Sequence, residues 1–193
     1  MELVFATHNQ HKLEEVQAII GPDIILKSLN DIGCREDIPE TGHTFKINAS
    51  QKSRYVFEHF GLNCFADDSG LEIDALNGEP GVYSARYSGS RDPNTNLQLV
   101  LDKLAGKTNR RARFRTVISL ILDDDEHFFE GIAEGFITPE RCGARGFGYD
   151  PIFRPAGYDI TFAEMDPAEK NRISHRAKAM QLLIRFLEKT FTA

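Results

Sequence analysis

The chain has 193 residues, a hydrophobic share of 41% and a formal net charge of −6. These values are typical of one globular domain, and they argue against a disordered chain and against a general nucleic-acid binder, which is normally basic. Three widely spaced cysteines, Cys34, Cys64 and Cys142, argue against a disulfide or zinc framework and favour a reducing compartment. No apolar run approaches the ~20 residues of a membrane span, and the N-terminus lacks a signal peptide's basic lead. We therefore expect a cytoplasmic protein with no membrane or nucleic-acid partner.

The first third of the chain predicts alternating strands and helices. Apolar runs predict strands at residues 3–6, 24–26 and 64–66. Helical spacing of apolar residues predicts helices from Gln10 to a stop at Gly21-Pro22, and from Phe45 to a stop at Gly61. Residues 29–42 predict a loop.

The rest of the chain continues the mixture. Asp92-Pro93 predicts a helix start, and Gly106 its end. Two longer strands are predicted at 114–122 and 128–137, joined by an acidic tip that we expect to be solvated, Asp123 to Glu126. Asp166-Pro167 predicts a short helix and Ser174 caps a long final one. This pattern predicts an α/β fold with parallel and antiparallel strand pairs.

The turn after the first strand has the features of an anion site. Thr7, Asn9 and Lys12 open a helix whose N-terminal amides and dipole favour negative charge. Lys12 would add a full positive charge. The alternative is an ordinary helix cap with a surface lysine, and the lack of glycines excludes a Walker A loop.

Two further segments predict phosphate and metal chemistry. Lys52 lies on the apolar stripe of the second helix with Asn48 on the same face, so it either snorkels or meets an anion. Asp67-Asp68-Ser69-Gly70 follows a buried strand and suits a hard divalent cation, with one Asp facing the site and the other supporting it. The alternative is an Asp-rich turn. Glu40 in the long loop could be a second ligand.

Two segments near the C-terminus could hold a base. Phe147-Gly148-Tyr149-Asp150 combines aromatic faces with a carboxylate, although an aromatic core turn explains it equally well. Lys170 and Ser174-His175-Arg176 cluster near a helix start, where His175 and Arg176 oppose the dipole unless an anion or a keto oxygen meets them. Arg111, Arg113 and Arg115 alternate on a strand, and we expect an exposed sheet face there.

Seven motifs occur in one order from the first strand to the last helix. They are Thr7-x-Asn9-x-x-Lys12, Glu40-Thr41-Gly42-x-Thr44-Phe45, Asn48-Ala49, Ala66-Asp67-Asp68-Ser69-Gly70-Leu71, Pro80-Gly81-Val82-Tyr83-Ser84-Ala85-Arg86-Tyr87, Gly146-Phe147-Gly148-Tyr149-Asp150-Pro151 and Ser174-His175-Arg176. Together they resemble the inosine triphosphate pyrophosphatase family in its bacterial dITP/XTP pyrophosphatase form.

The resemblance implies an enzyme that hydrolyses non-canonical purine nucleoside triphosphates (dITP, ITP and XTP) to the monophosphate and pyrophosphate. It implies a Mg²⁺ requirement and a homodimer. It also implies one domain over residues 1–193, an elongated two-lobed α/β fold around a long twisted mixed sheet, with a nucleotide cleft between the lobes.

The resemblance also implies roles for individual residues. The triphosphate segment comprises Thr7, His8, Asn9, Gln10, His11 and Lys12. Lys52 is implied as a catalytic, phosphate-contacting lysine, Glu40 and Asp68 as metal ligands, Asp68 also as the general base, and Ser69 as a substrate contact. The nucleoside and base site comprises Phe147, Gly148, Tyr149, Asp150, Lys170, His175 and Arg176. The chain departs from the family pattern at His11, often glycine, and at Arg145 in a stretch that is usually glycine-rich.

Three alternatives remain at this point. The first is a pyrophosphatase for other modified or for canonical nucleotides. The second is a nucleotide-binding regulator without turnover, against which Glu40, Asp68 and Lys52 argue. The third is a nucleic-acid-binding protein that uses the arginine strand, against which the net charge argues.

Overall fold

The structure is a computed structural model that describes residues 1–21 and 24–191. Within these residues it contains six β-strands and five α-helices. The strands are β1 Glu2–Phe5, β2 Ile25–Ser28, β3 Cys64–Ile73, β4 Arg111–Leu122, β5 Asp125–Ile137 and β6 Phe153–Pro155. The helices are α1 Gln10–Ile20, α2 Phe45–Phe60, α3 Pro93–Lys103, α4 Pro167–Ile173 and α5 His175–Phe191.

The strands form one mixed sheet in the order β2-β1-β3-β4-β5-β6. Strand β1 pairs in parallel with β2 and with β3, so that Val4 lies opposite Lys27 on one side and Cys64 on the other. Strands β5 and β6 pair antiparallel, with Phe136 opposite Arg154. The α/β class and the mixed pairing predicted from the sequence are therefore confirmed.

The chain divides into two compact units, each with its own apolar core. Unit 1 comprises the described residues among 1–68, 116–131 and those from Arg176 onward. Its core includes Phe5 and Phe65, whose rings stack with centroids 4.6 Å apart. Unit 2 comprises residues 69–115 and 132–175, and its core is built around Phe114, Phe153 and Phe162. Strands β3, β4 and β5 contribute residues to both units.

Capping residues explain why the predicted helix starts are confirmed. Asn9 accepts a hydrogen bond from the Lys12 amide at the start of α1, and Thr44 accepts one from the Ile47 amide at the start of α2. Helix α2 ends at Gly61, whose φ of 63° is in the left-handed region that favours glycine. Helix α1 ends at Ile20, directly before Gly21, whereas Pro22 of the predicted stop lies outside the described residues.

Several strand boundaries differ from the prediction. Strand β3 is not limited to residues 64–66 but continues through the Asp67-Asp68-Ser69-Gly70 motif to Ile73, because both carboxylates find polar partners without leaving the strand. Strand β2 covers 25–28 rather than 24–26, and α3 ends at Lys103, before Gly106. Strand β6 has three residues, too few to produce a recognisable alternation.

The expectation of a solvated acidic tip is wrong for Glu126. Strands β4 and β5 are joined by Asp123-Asp124 alone, and both residues have positive φ, which a two-residue type I′ turn requires. Glu126 already belongs to β5, and its carboxylate accepts a hydrogen bond from Ser119 and pairs with Arg54.

The arginine strand is likewise paired rather than simply exposed, because Arg113 and Arg115 both contact the carboxylate of Glu72. None of the helices in the described parts of the chain combines the length and apolarity needed to cross a membrane.

Candidate active site

The turn after β1 combines a helix cap with a lysine that enters the interior. The Thr7 hydroxyl accepts a hydrogen bond from the Asn9 amide at 3.1 Å, and Asn9 caps α1, as the helix-cap alternative predicted. The residues His8, Gln10 and His11 are exposed. The His8 ring is hydrogen-bonded to the Glu36 carbonyl oxygen, and the Gln10 side chain donates a hydrogen bond to the Glu14 carboxylate. Lys12, in contrast, points to Asp67 of β3.

Asp67 is the centre of a buried charge cluster in unit 1. Its carboxylate accepts hydrogen bonds from Lys12 Nζ at 2.8 Å and from Arg176 Nε at 3.3 Å, and its backbone carbonyl accepts one from Lys52 Nζ at 2.6 Å. Burial alone would raise the pKa of Asp67, but the cations Lys12, Arg176 and Lys52 hold that pKa far below its usual range. The Asp67 carboxylate thus pairs with two cations, Lys12 and Arg176, while Lys52 contacts the carbonyl oxygen of the same residue.

Lys52 lies on the α2 face that meets β3 and the long loop. In addition to the Asp67 carbonyl, its ammonium bonds to the carboxylate of Glu40. Burial opposes the charged form, yet the carboxylates of Glu40, Asp67 and Asp68 raise the pKa of Lys52. Of the two interpretations of this lysine, contact with an anion is thus the one that the structure supports.

Asp68 points to the opposite side of β3 from Asp67, as the alternation of side chains in a strand predicts. Its Oδ2 accepts a hydrogen bond from Asn48 Nδ2 at 2.9 Å, and Asn48 Oδ1 accepts one from the Gly42 amide at 2.8 Å. This chain of bonds connects the loop that carries Glu40 to the strand that carries Asp68. Burial and the nearby charge of Glu40 raise the pKa of Asp68.

Glu15 is a member of the cluster that the sequence analysis missed. Its carboxylate pairs with the guanidinium of Arg176, which is 3% exposed. Arg176 therefore contacts two carboxylates of unit 1, those of Glu15 and Asp67. Glu15 follows Lys12 by three residues on α1, and this spacing on a shared helix face is the signal that could have identified it.

The carboxylates of Glu40 and Asp68 fit a divalent cation only together with further oxygens. Among the residues that the structure describes, no group of three or more His, Cys, Asp or Glu side chains could hold a metal by itself. Mg²⁺ is commonly bound by one or two carboxylates plus substrate phosphates, so the pair fits this donor set. The negative charge of Glu40 contributes to the raised pKa of Asp68, after the larger effect of burial.

A second group of polar side chains lies in unit 2. Asp150 Oδ2 accepts hydrogen bonds from Lys170 Nζ at 2.7 Å and from the Phe147 amide at 2.8 Å, and both charged side chains are buried. The Lys170 ammonium lies 5.1 Å from the centroid of the Phe147 ring. The aromatic face and the carboxylate of the 147–150 motif thus lie together, and Lys170, which the sequence placed with Ser174-His175-Arg176, joins them.

Two other predicted base-site residues, Tyr149 and His175, are buried in unit 2. The Tyr149 hydroxyl donates a hydrogen bond to the Ser84 carbonyl at 2.7 Å, and burial raises its pKa. The His175 ring stacks on Phe114 with centroids 4.6 Å apart. Gly148 adopts a φ of 61°, and Ser69 is half-buried in β3. Substrate contact by these four residues stays a prediction.

Comparison with known proteins assigns the chain to a family. The model of the Ham1 family matches residues 3–186. The chain belongs to the Ham1 family. The dITP/XTP pyrophosphatase of Flavobacterium psychrophilum is 51% identical, over 97% of this chain and 100% of that protein. The dITP/XTP pyrophosphatase of Bacillus subtilis is 46% identical, over 97% of both chains.

Solved structures of Ham1-family proteins have the same fold. The Staphylococcus aureus Ham1 protein superimposes with a TM-score of 0.90 at 41% identity, over 98% of this chain and 100% of that one. A HAM1 protein from Coxiella burnetii has a TM-score of 0.90 at 40% identity, over 98% and 99% of the two chains. The resemblance found in the seven sequence motifs is therefore confirmed over nearly the whole chain.

Proposed function

We propose that this Ham1-family protein hydrolyses dITP, ITP and XTP to the nucleoside monophosphate and pyrophosphate, and so removes them from the nucleotide pool. The observation that carries this proposal is the buried cluster in which Lys12, Lys52 and Arg176 surround Asp67 while Asp68 and Glu40 lie beside Lys52. The cluster supplies cations for phosphates and carboxylates for a metal and a proton. Relatives named dITP/XTP pyrophosphatases share about half of the residues of this chain.

Lys12 and Lys52 are proposed to bind the triphosphate, together with the turn formed by residues 7–11. Both ammonium groups are preorganised by carboxylate or carbonyl oxygens, so little reorganisation is needed when phosphate oxygens arrive. During the reaction they neutralise the negative charge that develops on the leaving pyrophosphate. Lys52 is the more central of the two, because it also contacts Glu40.

Glu40 and Asp68 are proposed to hold Mg²⁺ together with phosphate oxygens of the substrate. When bound, the cation supplies Lewis-acid stabilisation of charge on the reacting phosphate. Asn48 keeps the Asp68 carboxylate in place through its 2.9 Å hydrogen bond.

Asp68 is also proposed as the group that orients and deprotonates the attacking water. Its raised pKa makes the ionised form a better proton acceptor than an ordinary aspartate. The water oxygen bonds to the α-phosphorus, the bond from that phosphorus to the bridging oxygen breaks, and pyrophosphate leaves with the bonding electron pair.

Phe147, Asp150 and Lys170 are proposed to bind the nucleoside, with Gly148, Tyr149, His175 and Arg176 as further base-site residues. Hypoxanthine and xanthine present a keto oxygen at position six, where adenine presents an amino group. Donor side chains in this group would match the keto oxygen, whereas the amino group of adenine offers them no acceptor. Buried polar groups can reject such a mismatched ligand by up to ~10⁴-fold.

The test is hydrolysis of dITP, XTP, dGTP and dATP with magnesium in ¹⁸O-labelled water, scoring pyrophosphate against orthophosphate. We expect pyrophosphate from dITP and XTP, with the label in the monophosphate. Asp68→Asn should lower kcat by about 10²–10⁴-fold. Asp102→Asn, the same chemical change at an exposed position of α3, serves as the control.

Other results would contradict specific parts of the proposal. Orthophosphate as the first product, or label in the pyrophosphate, would exclude attack at the α-phosphorus. Tight nucleotide binding without turnover would favour a regulator. Preferential hydrolysis of dATP or dGTP would contradict the substrate class.

A further inference from the structure

A second polar network connects α2 to the β4–β5 hairpin on a different face of the helix from Lys52. Glu126 of β5 has a side chain that is 11% exposed, and it pairs with Arg54 of α2. Its Oε1 also accepts a hydrogen bond from the Ser119 hydroxyl of β4 at 2.7 Å. The Ser119 and Ser53 hydroxyl oxygens are 2.7 Å apart and both residues are fully buried. Because the single Ser119 proton goes to Glu126, Ser119 Oγ is an acceptor for Ser53, whose hydroxyl shares its proton between Ser119 Oγ and the Ser50 carbonyl oxygen at 3.1 Å.

The network contacts α2 at the residues next to Lys52, the proposed phosphate-binding lysine. Ser53 and Arg54 directly follow Lys52 in the chain, and Ser50 also bonds to Glu126. At 100° per residue, positions 50, 53 and 54 share one helix face, whereas Asn48 and Lys52 share another. One face of α2 thus carries the groups that contact Asp67 and Asp68, and a second face carries the groups that bind the hairpin.

The position of the network is not explained by stability alone. A buried carboxylate loses hydration, and apolar side chains of similar size often replace buried polar networks with no loss of stability. Apolar packing is non-directional, however, whereas hydrogen bonds fix distance and angle. Three bonds along one turn fix both the rotation of α2 about its axis and its position along that axis.

We propose that Glu126, acting through Ser119, Ser53 and Arg54, is a positioning residue that sets the placement of Lys52 in the catalytic cluster. This inference rests on the proposed function, in which Lys52 neutralises the leaving pyrophosphate. Lys52 Nζ reaches the Asp67 carbonyl at 2.6 Å, so a small rotation of α2 would break this contact. A misplacement of about 1 Å at a reacting group can lower a rate by ~10²-fold.

The test compares four proteins by steady-state hydrolysis of dITP well below their unfolding temperatures. Glu126→Leu removes the acceptor but fills the space, and we expect kcat to fall by about 10–100-fold with KM within about twofold of the wild type. Glu126→Gln retains an acceptor for Ser119 and is expected to restore most of kcat. Asp125→Asn, an exposed neighbour on the same strand, is the matched control and should behave as the wild type.

Amide hydrogen exchange of α2 provides a readout that does not depend on activity. Faster exchange at residues 50–56 in Glu126→Leu, but not in Asp125→Asn, is expected. If the wild type does not hydrolyse dITP, the proposed function fails while this exchange result still tests the positioning. Should Glu126→Leu not fold, Ser53→Ala removes the bridging hydroxyl and is read in the same way. A kcat equal to that of the wild type, or a change confined to KM or to the unfolding temperature, would overturn the inference.

Discussion

Gly146 shows how one residue supports the second polar group. Its φ is 73°, and a Cβ at this position would lie 2.1 Å from Oδ2 of Asp150, the atom that binds Lys170. Gly146→Ala must therefore displace the carboxylate as well as strain the backbone. We expect it to lower the free energy of unfolding by about 1–3 kcal/mol and to raise KM for dITP, measured by urea unfolding and steady-state kinetics.

The control for this prediction separates collision from backbone strain. Gly157 has a φ of 84°, but a Cβ there would meet nothing within 4 Å. Gly157→Ala should therefore destabilise the protein through strain alone and leave KM unchanged. Equal KM values for the two variants would show that the Asp150–Lys170 pair takes no part in binding the substrate.

We expect Asp67 to contribute more to the free energy of unfolding than an exposed ion pair does. Asp67→Asn retains the shape of the side chain but leaves Lys12 and Arg176 without their shared carboxylate. Removing one partner of a buried pair typically costs about 3–5 kcal/mol, whereas an exposed pair contributes about 0–1 kcal/mol. We expect a loss in the larger range, measured by urea unfolding at pH 7. A loss no greater than that of Asp125→Asn would show that the cations find other partners.

At the scale of elements, the sequence predicted helices better than strands. Helix starts at Gln10, Phe45 and Pro93 depend on local caps, which are visible in a single sequence. The length of β3 depends instead on partners far along the chain: Asp67 continues the strand because it meets Lys12, 55 residues away. Glu126 was assigned to a solvated tip for the same reason, since its partners Ser119 and Arg54 lie on other elements.

The contact between α2 and the hairpin should make stability depend on pH. Burial would raise the pKa of Glu126, but hydrogen bonds from Ser50, Ser119 and Arg54 outweigh it and lower the pKa. A pKa that is lower in the folded state than in the unfolded state stabilises the protein at pH values above the unfolded-state pKa, which is about 4.3 for Glu. This stabilisation is lost as the pH falls through the folded-state pKa. We expect the free energy of unfolding of the wild type to exceed that of Glu126→Gln by about 1–2 kcal/mol at pH 7.

Urea unfolding of both proteins between pH 7 and pH 3 measures this difference. It should be constant above about pH 5.5 and shrink below about pH 4, as Glu126 takes up a proton. A difference that stays constant down to pH 3 would mean that the charge of Glu126 is not its source. No difference at any pH would mean that Gln serves equally well as the acceptor for Ser119.

For the whole molecule, seven short motifs predicted the family, whereas no single motif predicted the charge cluster. The motifs carry Lys12, Asp67 and Arg176, and the family assignment followed from their order. Their contacts join α1 to β3 across 55 residues of sequence and β3 to α5 across 109, and such pairing cannot be read from one chain. Glu15 was missed because its partner Arg176 is 161 residues away.

The charge of the whole molecule leads to a last prediction, that the protein does not bind duplex DNA. Its net charge is −6, and the alternating arginines that could form a basic patch include Arg113 and Arg115, which share Glu72 as a partner. Non-specific DNA binding requires several uncompensated cations that displace counterions from phosphates. We expect no mobility shift of a short duplex at ~10 µM protein and low salt, where ordinary non-specific binders with dissociation constants of ~10⁻⁴–10⁻⁶ M begin to bind.

Glu72→Gln makes this prediction sharper, because it removes the carboxylate that Arg113 and Arg115 both contact while changing the net charge by only one unit. If the net charge decides whether the protein binds DNA, this variant also causes no mobility shift of the duplex. A shift by the variant alone would show that a local ion pair, rather than the net charge, prevents binding. A shift by the wild type that weakens steeply with added salt would contradict the prediction and return the arginine strand to consideration as a nucleic-acid contact.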